Sequence, residues 1–491
     1  MTGKMKAGLI AGAAAVVLLS GAVTALVLTK DDGAAEEDTS SQTTAAKEET
    51  SKLLYDKDPK TITHIGLKKK DSSFAVDQYG DTLWTITEIK ELPLDYTVIS
   101  GIVDETASIT AAQTVVEKAD DISIYGLSDP QLVVEAQIGD TTRTLTIGNE
   151  IPSGKEYYFM IDGSDVVYTI AANDIQYLLY DEYDCINRLI YSEVQDNDTE
   201  DDYDPARVNS ITIKRKDLDY DIRLEYDKST DDDEIISGNT STHMMTEPVS
   251  LGLNPDRAAS VLNGIFGLTA ADIAAVKPTD ADLEEFGLKD PLCEVDFDIN
   301  ARSVTLIFGN VCTDEDGKKT GYYGMAKGID NVVYKFDTAS VPWVEAMPLD
   351  IAQNMVTSKY IFSVDSIEIT TDGGRKELFD ISSEDASTLL VKLNGTDFAD
   401  VDNFKSFYRY ILSTPAEEIY TEECTGEPRA TLSIKSRKLG DDIIEFFPGD
   451  DRMTVIRLNG RPSFRCRTTY VDRLIENLDH LLAGEDIIPT W

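Results

Sequence analysis

From residue 53 onward the apolar positions fall mostly at period two, and three short stretches set the pattern. Ile62-Thr63-His64-Ile65, Val208-Asn209-Ser210-Ile211-Thr212-Ile213 and Val364-Asp365-Ser366-Ile367-Glu368-Ile369 alternate apolar with polar side chains, as a strand with one buried face does. Asp58-Pro59 and Asp204-Pro205 stand ahead of the first two. Further period-two runs over 132–138, 143–147, 157–161 and 166–170 predict a β-meander. Its turn at Asp162-Gly163 offers the positive φ that tight hairpins need. Ahead of the meander, Ile109, Ala112, Val115, Val116 and Ala119 recur three and four apart, which predicts an amphipathic helix. Residues 258–265 and 404–412 fill the same place further along, and closing helices are expected over 172–179 and 471–482.

These runs come in copies. Tyr125-Gly126-Leu127-Ser128-Asp129-Pro130 returns as Phe286-Gly287-Leu288-Lys289-Asp290-Pro291, and Gly148-Asn149 and Gly309-Asn310 follow at one shared spacing. Val166-Val167-Tyr168 and Val332-Val333-Tyr334 come next. Gly426-Glu427-Pro428 and Asn459-Gly460 mark a third, divergent copy without the Leu-x-Asp and Tyr-Tyr elements. The expected fold class is α+β: tandem repeats of an antiparallel β-meander with packed helices, after one N-terminal transmembrane helix. The expected division is a cytoplasmic stub and anchor at 1–30, a flexible acidic linker at 31–52, and units at 53–190, 191–350 and 351–491. The second copy is the longer ahead of its Gly-Leu turn, and residues 238–247, with His243, are the expected surface-loop insertion.

The anchor is read from residues 9–28, an uncharged stretch behind Lys4 and Lys6. At about 1.5 Å per helical residue it spans roughly 30 Å, the thickness of one hydrocarbon core. Asp31, Asp32, Glu36, Glu37 and Asp38 follow it, so the charge bias places the N-terminus in the cytoplasm and the C-terminal body outside, single-pass in the cell membrane. Val23-Thr24-Ala25 would also serve as a signal-peptide cleavage site, and either way the body is exported. Residues 31–52 hold no aromatic side chain and read as a tether. Ninety acidic against 45 basic residues leave a net charge of −45, which opposes binding to nucleic acid and to anionic lipid surfaces.

Taken in order, the Gly-Leu-x-Asp-Pro turn, the strand pair ending in Gly-Asn, the tyrosine pairs Tyr157-Tyr158 and Tyr322-Tyr323, and the Val-Val-Tyr strand resemble the bacterial family called domain of unknown function 4340. The resemblance covers the first two copies well and the third poorly. It implies a membrane-anchored envelope protein, found beside or fused to auxiliary parts of gliding-type ABC export systems, with no assigned catalytic residues. The partners it implies are the membrane, through residues 9–28, and ABC transporter components of an envelope complex.

Candidate chemistry narrows the functional classes. His64, His243 and His480 lie far apart, and no His-Glu-x-x-His, Gly-x-Ser-x-Gly or phosphate-cradling glycine loop occurs. No catalytic, cofactor-binding or metal residue is assigned. Asp196, Asp198, Glu200, Asp201, Asp202 and Asp204 have the density of a calcium loop, yet Asp201 and Arg207 stand where an EF-hand needs Gly and Glu. Asp231, Asp232 and Asp233 read as a solvated loop. Cys185, Cys293, Cys312, Cys424 and Cys466 do not recur between copies, and the hairpin register near Asn300 places Cys293 opposite Phe308, so isolated buried thiols are expected. Tyr157, Tyr158, Tyr322 and Tyr323 are the candidate binding residues, because aromatic rings stack on flat ligands. Adjacent tyrosines in a strand point to opposite faces, so one of each pair is expected in the core.

Three classes follow. The first is a non-catalytic, membrane-anchored extracytoplasmic scaffold or binding protein, accessory to an ABC-type export system. The second is an extracellular module for wall polymer or peptide. The third is an envelope hydrolase, which would need a deep pocket of clustered carboxylates or a histidine beside a nucleophile. The first is the leading expectation.

Overall fold

The computed structural model describes residues 51–491, apart from 81, 192–206, 232–240, 301, 329–330, 384–387 and 437–438. The expected anchor over 9–28, nearly all of the expected linker, the acidic run at 196–204, and Asp232 and Asp233 lie outside the described residues.

Period two governs what is described: twenty-eight strands stand against six α-helices. The fold is mainly antiparallel β, which corrects the expected α+β class with a transmembrane helix. Among the described residues no helix is long and apolar enough to cross a membrane. Segment 109–119 shows where the helical expectation fails. Its apolar residues recur three and four apart, yet it forms the strands Ser108–Ala111 and Gln113–Val116. Ile109, Thr110, Thr114, Val115 and Val116 are β-branched and stiff at χ1, which favours the pleated surface. The helix lies just before, at Tyr96–Ala107, where the Asp95 side chain accepts from the backbone N–H groups of Thr97 and Val98. Residues 172–179 likewise hold a single 3-10 turn, Ala172–Asp174, in place of a closing helix.

Three sheets share one spatial strand order, to which the second and third add a two-residue edge strand, Leu251–Gly252 and Thr396–Asp397. In the first, Leu83–Ile86, Ser73–Tyr79 and Ile62–Lys69 form one meander and Leu132–Ile138, Thr141–Glu150, Glu156–Ile161 and Val167–Ala171 a second, with Gln113–Val116 on the far edge. The two meanders join antiparallel through their first strands, with Ile65 opposite Ala136. Ile211 opposite Phe297 and Ile367 opposite Ile434 make the same joint in the other two sheets. A fourth, small sheet pairs Lys52–Asp56 with Ser108–Ala111.

Alternation decides which face is buried. Leu132, Val134, Ala136 and Ile138 point inward, as do Cys293, Val295, Phe297 and Ile299 in the equivalent strand. Helices bring their own apolar stripes to the core: Ile99, Ile102 and Val103 from Tyr96–Ala107, Ala258, Val261 and Leu262 from Pro255–Asn263, and Phe404, Phe407 and Ile411 from Val401–Leu412. Each of the larger of these side chains contributes about 1.5–3 kcal/mol by leaving water. Trp343 is fully buried and donates its indole N–H to the carbonyl of Val261 at 2.8 Å, which satisfies its single polar atom.

The connectors between sheets are hydrogen-bonded as well. Ile190 donates to Leu268 and Ala270 donates to Arg188, both at 2.8 Å. Farther along, Leu253 bridges Ala352 and Met355 bridges Pro415. One apolar cluster therefore runs from Ile62 to Leu481. The expected loop insertion at 238–247 is corrected in its described part: His243–Glu247 is a strand paired with Ile222–Tyr226, and His243 is buried.

Candidate functional site

The Gly-Leu-x-Asp-Pro turn and the Gly-Asn pair meet in space. Gly126 and Gly287 take φ of 74° and 72°, the left-handed region that suits glycine. A Cβ on Gly287 would stand 2.6 Å from Oδ1 of Asn310, and one on Gly309 would collide with the carbonyl of Phe286. Asn310 donates its backbone N–H to Phe286 at 2.7 Å and its side-chain amide to the carbonyl of Glu285 at 2.8 Å. In the first sheet Gly126 and Gly148 approach Asn149 and Tyr125 in the same way. Each meander slips register at this point, between Ile147 and Glu150 and between Phe308 and Val311, and the bulge lifts Asn onto the turn. The two motifs form a structural clasp, and the clasp explains their shared spacing.

The same clasp fixes the candidate tyrosines. Tyr158 packs on Tyr125 with ring centroids 5.0 Å apart, and Tyr323 on Phe286 at 4.7 Å. Tyr157 and Tyr322 pack against the main core instead. The Tyr322 hydroxyl donates to Glu345 at 2.9 Å, and the Lys319 ammonium lies 4.3 Å from its ring centroid. The four residues thus divide between two faces, one of each pair on the Gly-Leu turn and the other on the main core.

Histidines and thiols are tied into the fold. Nδ1 of His64 lies 2.7 Å from Asp77 on the surface, and Nδ1 of His480 lies 3.0 Å from the carbonyl of Asp486. Buried His243 places Nε2 at 2.7 Å from the carbonyl of Val208 and Nδ1 at 2.9 Å from the Thr242 hydroxyl. Nε2 must donate there, which leaves Nδ1 to accept in the neutral tautomer. Burial holds its pKa below the ordinary histidine value. Burial also pushes the thiols of Cys185, Cys293 and Cys466 up to about 12, so none is a thiolate at neutral pH. Cys293 sits opposite Phe308. Among the described residues no group of three or more His, Cys, Asp or Glu could hold a metal ion.

An open groove of about 430 Å³ lies between the connector 355–361 and the helix Val401–Leu412. Lys405, Tyr408, Arg409 and Leu412 line one wall, a single stripe at helical spacing. Met355, Tyr360 and Ile361 bring apolar surface from the connector, with Thr357, Ser358 and Lys359 between them in the chain. The connector is pinned at several points. Val356 donates its N–H to Thr414 at 3.2 Å, and the Tyr408 hydroxyl donates to the carbonyl of Lys359 at 2.6 Å. The Thr357 hydroxyl and the Lys359 ammonium both donate to Asp442, at 2.7 and 2.8 Å. Lys359, with 9% of its side chain exposed, is neutralised by that contact. Lys405 reaches Asp402 at 3.3 Å, and among the described residues exposed Arg409 has no ion-pair partner. Arg409 therefore gives this half-apolar groove one unpaired cation on a chain of strongly negative charge.

A second recess, about 530 Å³, lies where Arg461 meets Glu247 at 2.9 Å. Arg223 beside it pairs with Glu225 at 2.7 Å, so both of its arginines are occupied. Sequence reasoning passed over the first groove because 355–361 has no period. Its signal was Lys405 and Arg409, two cations four apart within an apolar-periodic segment of an acidic chain.

Residues 84–291 match the family model described as Domain of unknown function (DUF4340). The matched stretch runs from the edge strand of the first sheet to the end of the second Gly-Leu-x-Asp-Pro turn, less than half of the chain, and supports the resemblance that those motifs carry. No curated protein and no solved structure matches the chain.

Proposed function

We propose that the chain is a non-catalytic extracytoplasmic scaffold or binding protein of the cell envelope, accessory to an ABC-type export system and built from three copies of one domain. This reading rests on the groove between residues 355–361 and 405–412, where cationic and apolar side chains stand open together. The shared strand order of the three sheets and the clasp in the first two favour the copies. The match over 84–291 favours the family association from which the export partner is taken. Placement outside the cytoplasm, at the cell membrane, belongs to the same reading.

Crosslinking and affinity purification of the full-length chain from intact membranes test it. Recovery of ABC transporter subunits is the expected result, and their absence from repeated recoveries removes the export role. Protease added to intact cells should digest the body, and a protected body would overturn the placement.

A second reading, a module for wall polymer or peptide, is favoured by the aromatic pairs Tyr125–Tyr158 and Phe286–Tyr323 at the same place in two sheets. It requires that the chain sediment with purified cell wall and that Tyr158→Ala with Tyr323→Ala abolish this.

A further inference from the structure

We infer that the groove between the connector 355–361 and the helix Val401–Leu412 binds an extended peptide segment that carries a carboxylate beside an apolar side chain. The inference rests on the binding role proposed above and names its ligand class.

The groove offers two kinds of unsatisfied surface. Met355 and Tyr360 are 36% and 41% exposed at its rim, although both are side chains that gain free energy by leaving water. On the helix, Lys405 already reaches Asp402 at 3.3 Å, but among the described residues exposed Arg409, four residues on, has no ion-pair partner. A ligand carboxylate supplies the counter-charge that Arg409 lacks, and the planar guanidinium matches both of its oxygens. Lys359 does not compete for it, because Asp442 already holds its ammonium at 2.8 Å.

Charge decides between the occupants that carry an anion. The chain bears −45, so a second copy or a broad anionic membrane surface meets net repulsion. A short segment does not, since at physiological salt charges more than about 8 Å away are largely screened. The stripe from Lys405 to Leu412 is about 10 Å long, which matches roughly three extended residues. An alkyl carboxylate would leave its tail in an open slot partly walled by Thr357, Ser358 and Lys359. A peptide has polar backbone to set against those groups and side chains to set against Leu412, Ile361 and Tyr360.

Fluorescence anisotropy with the full-length chain tests the inference. The probes are three labelled peptides of equal length, one alternating Leu with Asp, one Leu with Lys and one Ser with Asp, together with phosphatidylglycerol vesicles. The Leu-Asp peptide should bind alone, and Arg409→Glu should weaken it about tenfold, the scale of one reversed and partly exposed ion pair. Leu412→Asp should abolish binding while circular dichroism shows an unchanged fold. Absence of Leu-Asp binding, equal binding of the Leu-Lys or Ser-Asp peptide, indifference to both substitutions, or preference for the vesicles would each overturn it. The two readings fail separately. Recovery of export subunits that is unaffected by Arg409→Glu leaves the scaffold role standing and removes this ligand. Leu-Asp binding without any recovered partner does the reverse.

Discussion

At Gly309 and Gly287 the clasp admits a hydrogen and little more. Gly309→Ala sets a methyl against the Phe286 carbonyl and the backbone of Gly287, and should cost about 3 kcal/mol because backbone cannot move aside cheaply. Gly163→Ala is the control: its φ is 67° but nothing lies within 4 Å of the added carbon, so only about 1 kcal/mol of left-handed strain applies. Urea denaturation of the full-length variants separates the two, and equal losses would refute the clasp. His243 makes a pH-dependent statement. Burial depresses its folded pKa below an unfolded value of about 6.5, with Arg207 adding to the shift and the Val208 bond opposing it. Its contribution is therefore complete above pH of about 6.5 and is lost as the pH falls through the folded value. His243→Gln should flatten that acid limb in melts taken across the range, and an unchanged slope would exclude the assignment. At this scale the turn chemistry of Gly126 and Gly287 was legible in the sequence, since Gly before Leu-x-Asp-Pro has few other uses. Its partnership with Asn149 and Asn310 was not, because that contact is made across strands.

Among the elements, the connector 355–361 is pinned to the helix Val401–Leu412 by the Tyr408 hydroxyl on the Lys359 carbonyl, and to the strand Asp442–Pro448 by the contact of Lys359 with Asp442. Asp442→Ala leaves an ammonium without a counter-charge at a site 9% exposed, and should destabilise by about 3–5 kcal/mol. Lys359→Met combined with Asp442→Leu should recover most of that loss, since the penalty lies in the unpaired charge. Thermal melts of the three forms measure it, and a double variant as unstable as Asp442→Ala would contradict the account. Helix 401–412 was legible because Phe404, Phe407, Tyr408 and Ile411 recur three and four apart, and of these four only Ile411 is β-branched. Segment 109–119 misled because two short strands broken at Ala112 repeat apolar residues at the same three and four spacing. Periodicity over so short a run does not separate the two, and the β-branched content does.

For the whole molecule, period two identified the strands, while the joint of each pair of meanders was hidden. Ile65 meets Ala136 and Ile211 meets Phe297, pairings set by tertiary packing between strands that several other elements separate in the chain. Because the apolar cluster runs from Ile62 to Leu481 and the connectors are hydrogen-bonded, the described body should unfold as one cooperative unit. Calorimetry should give one transition with matching calorimetric and van't Hoff enthalpies, and three separable transitions would contradict this. The proposed role has this acidic body presenting the groove that holds Arg409 to a partner. It is tested most directly by placing a photo-crosslinking amino acid at Tyr360 in the full-length chain in intact cells, with exposed Tyr79 as the control position. Tyr360 alone should capture an export-complex subunit, through a segment with carboxylate and apolar side chains, and Arg409→Glu should remove the adduct. The same adducts at Tyr79, or an adduct indifferent to Arg409→Glu, would contradict it.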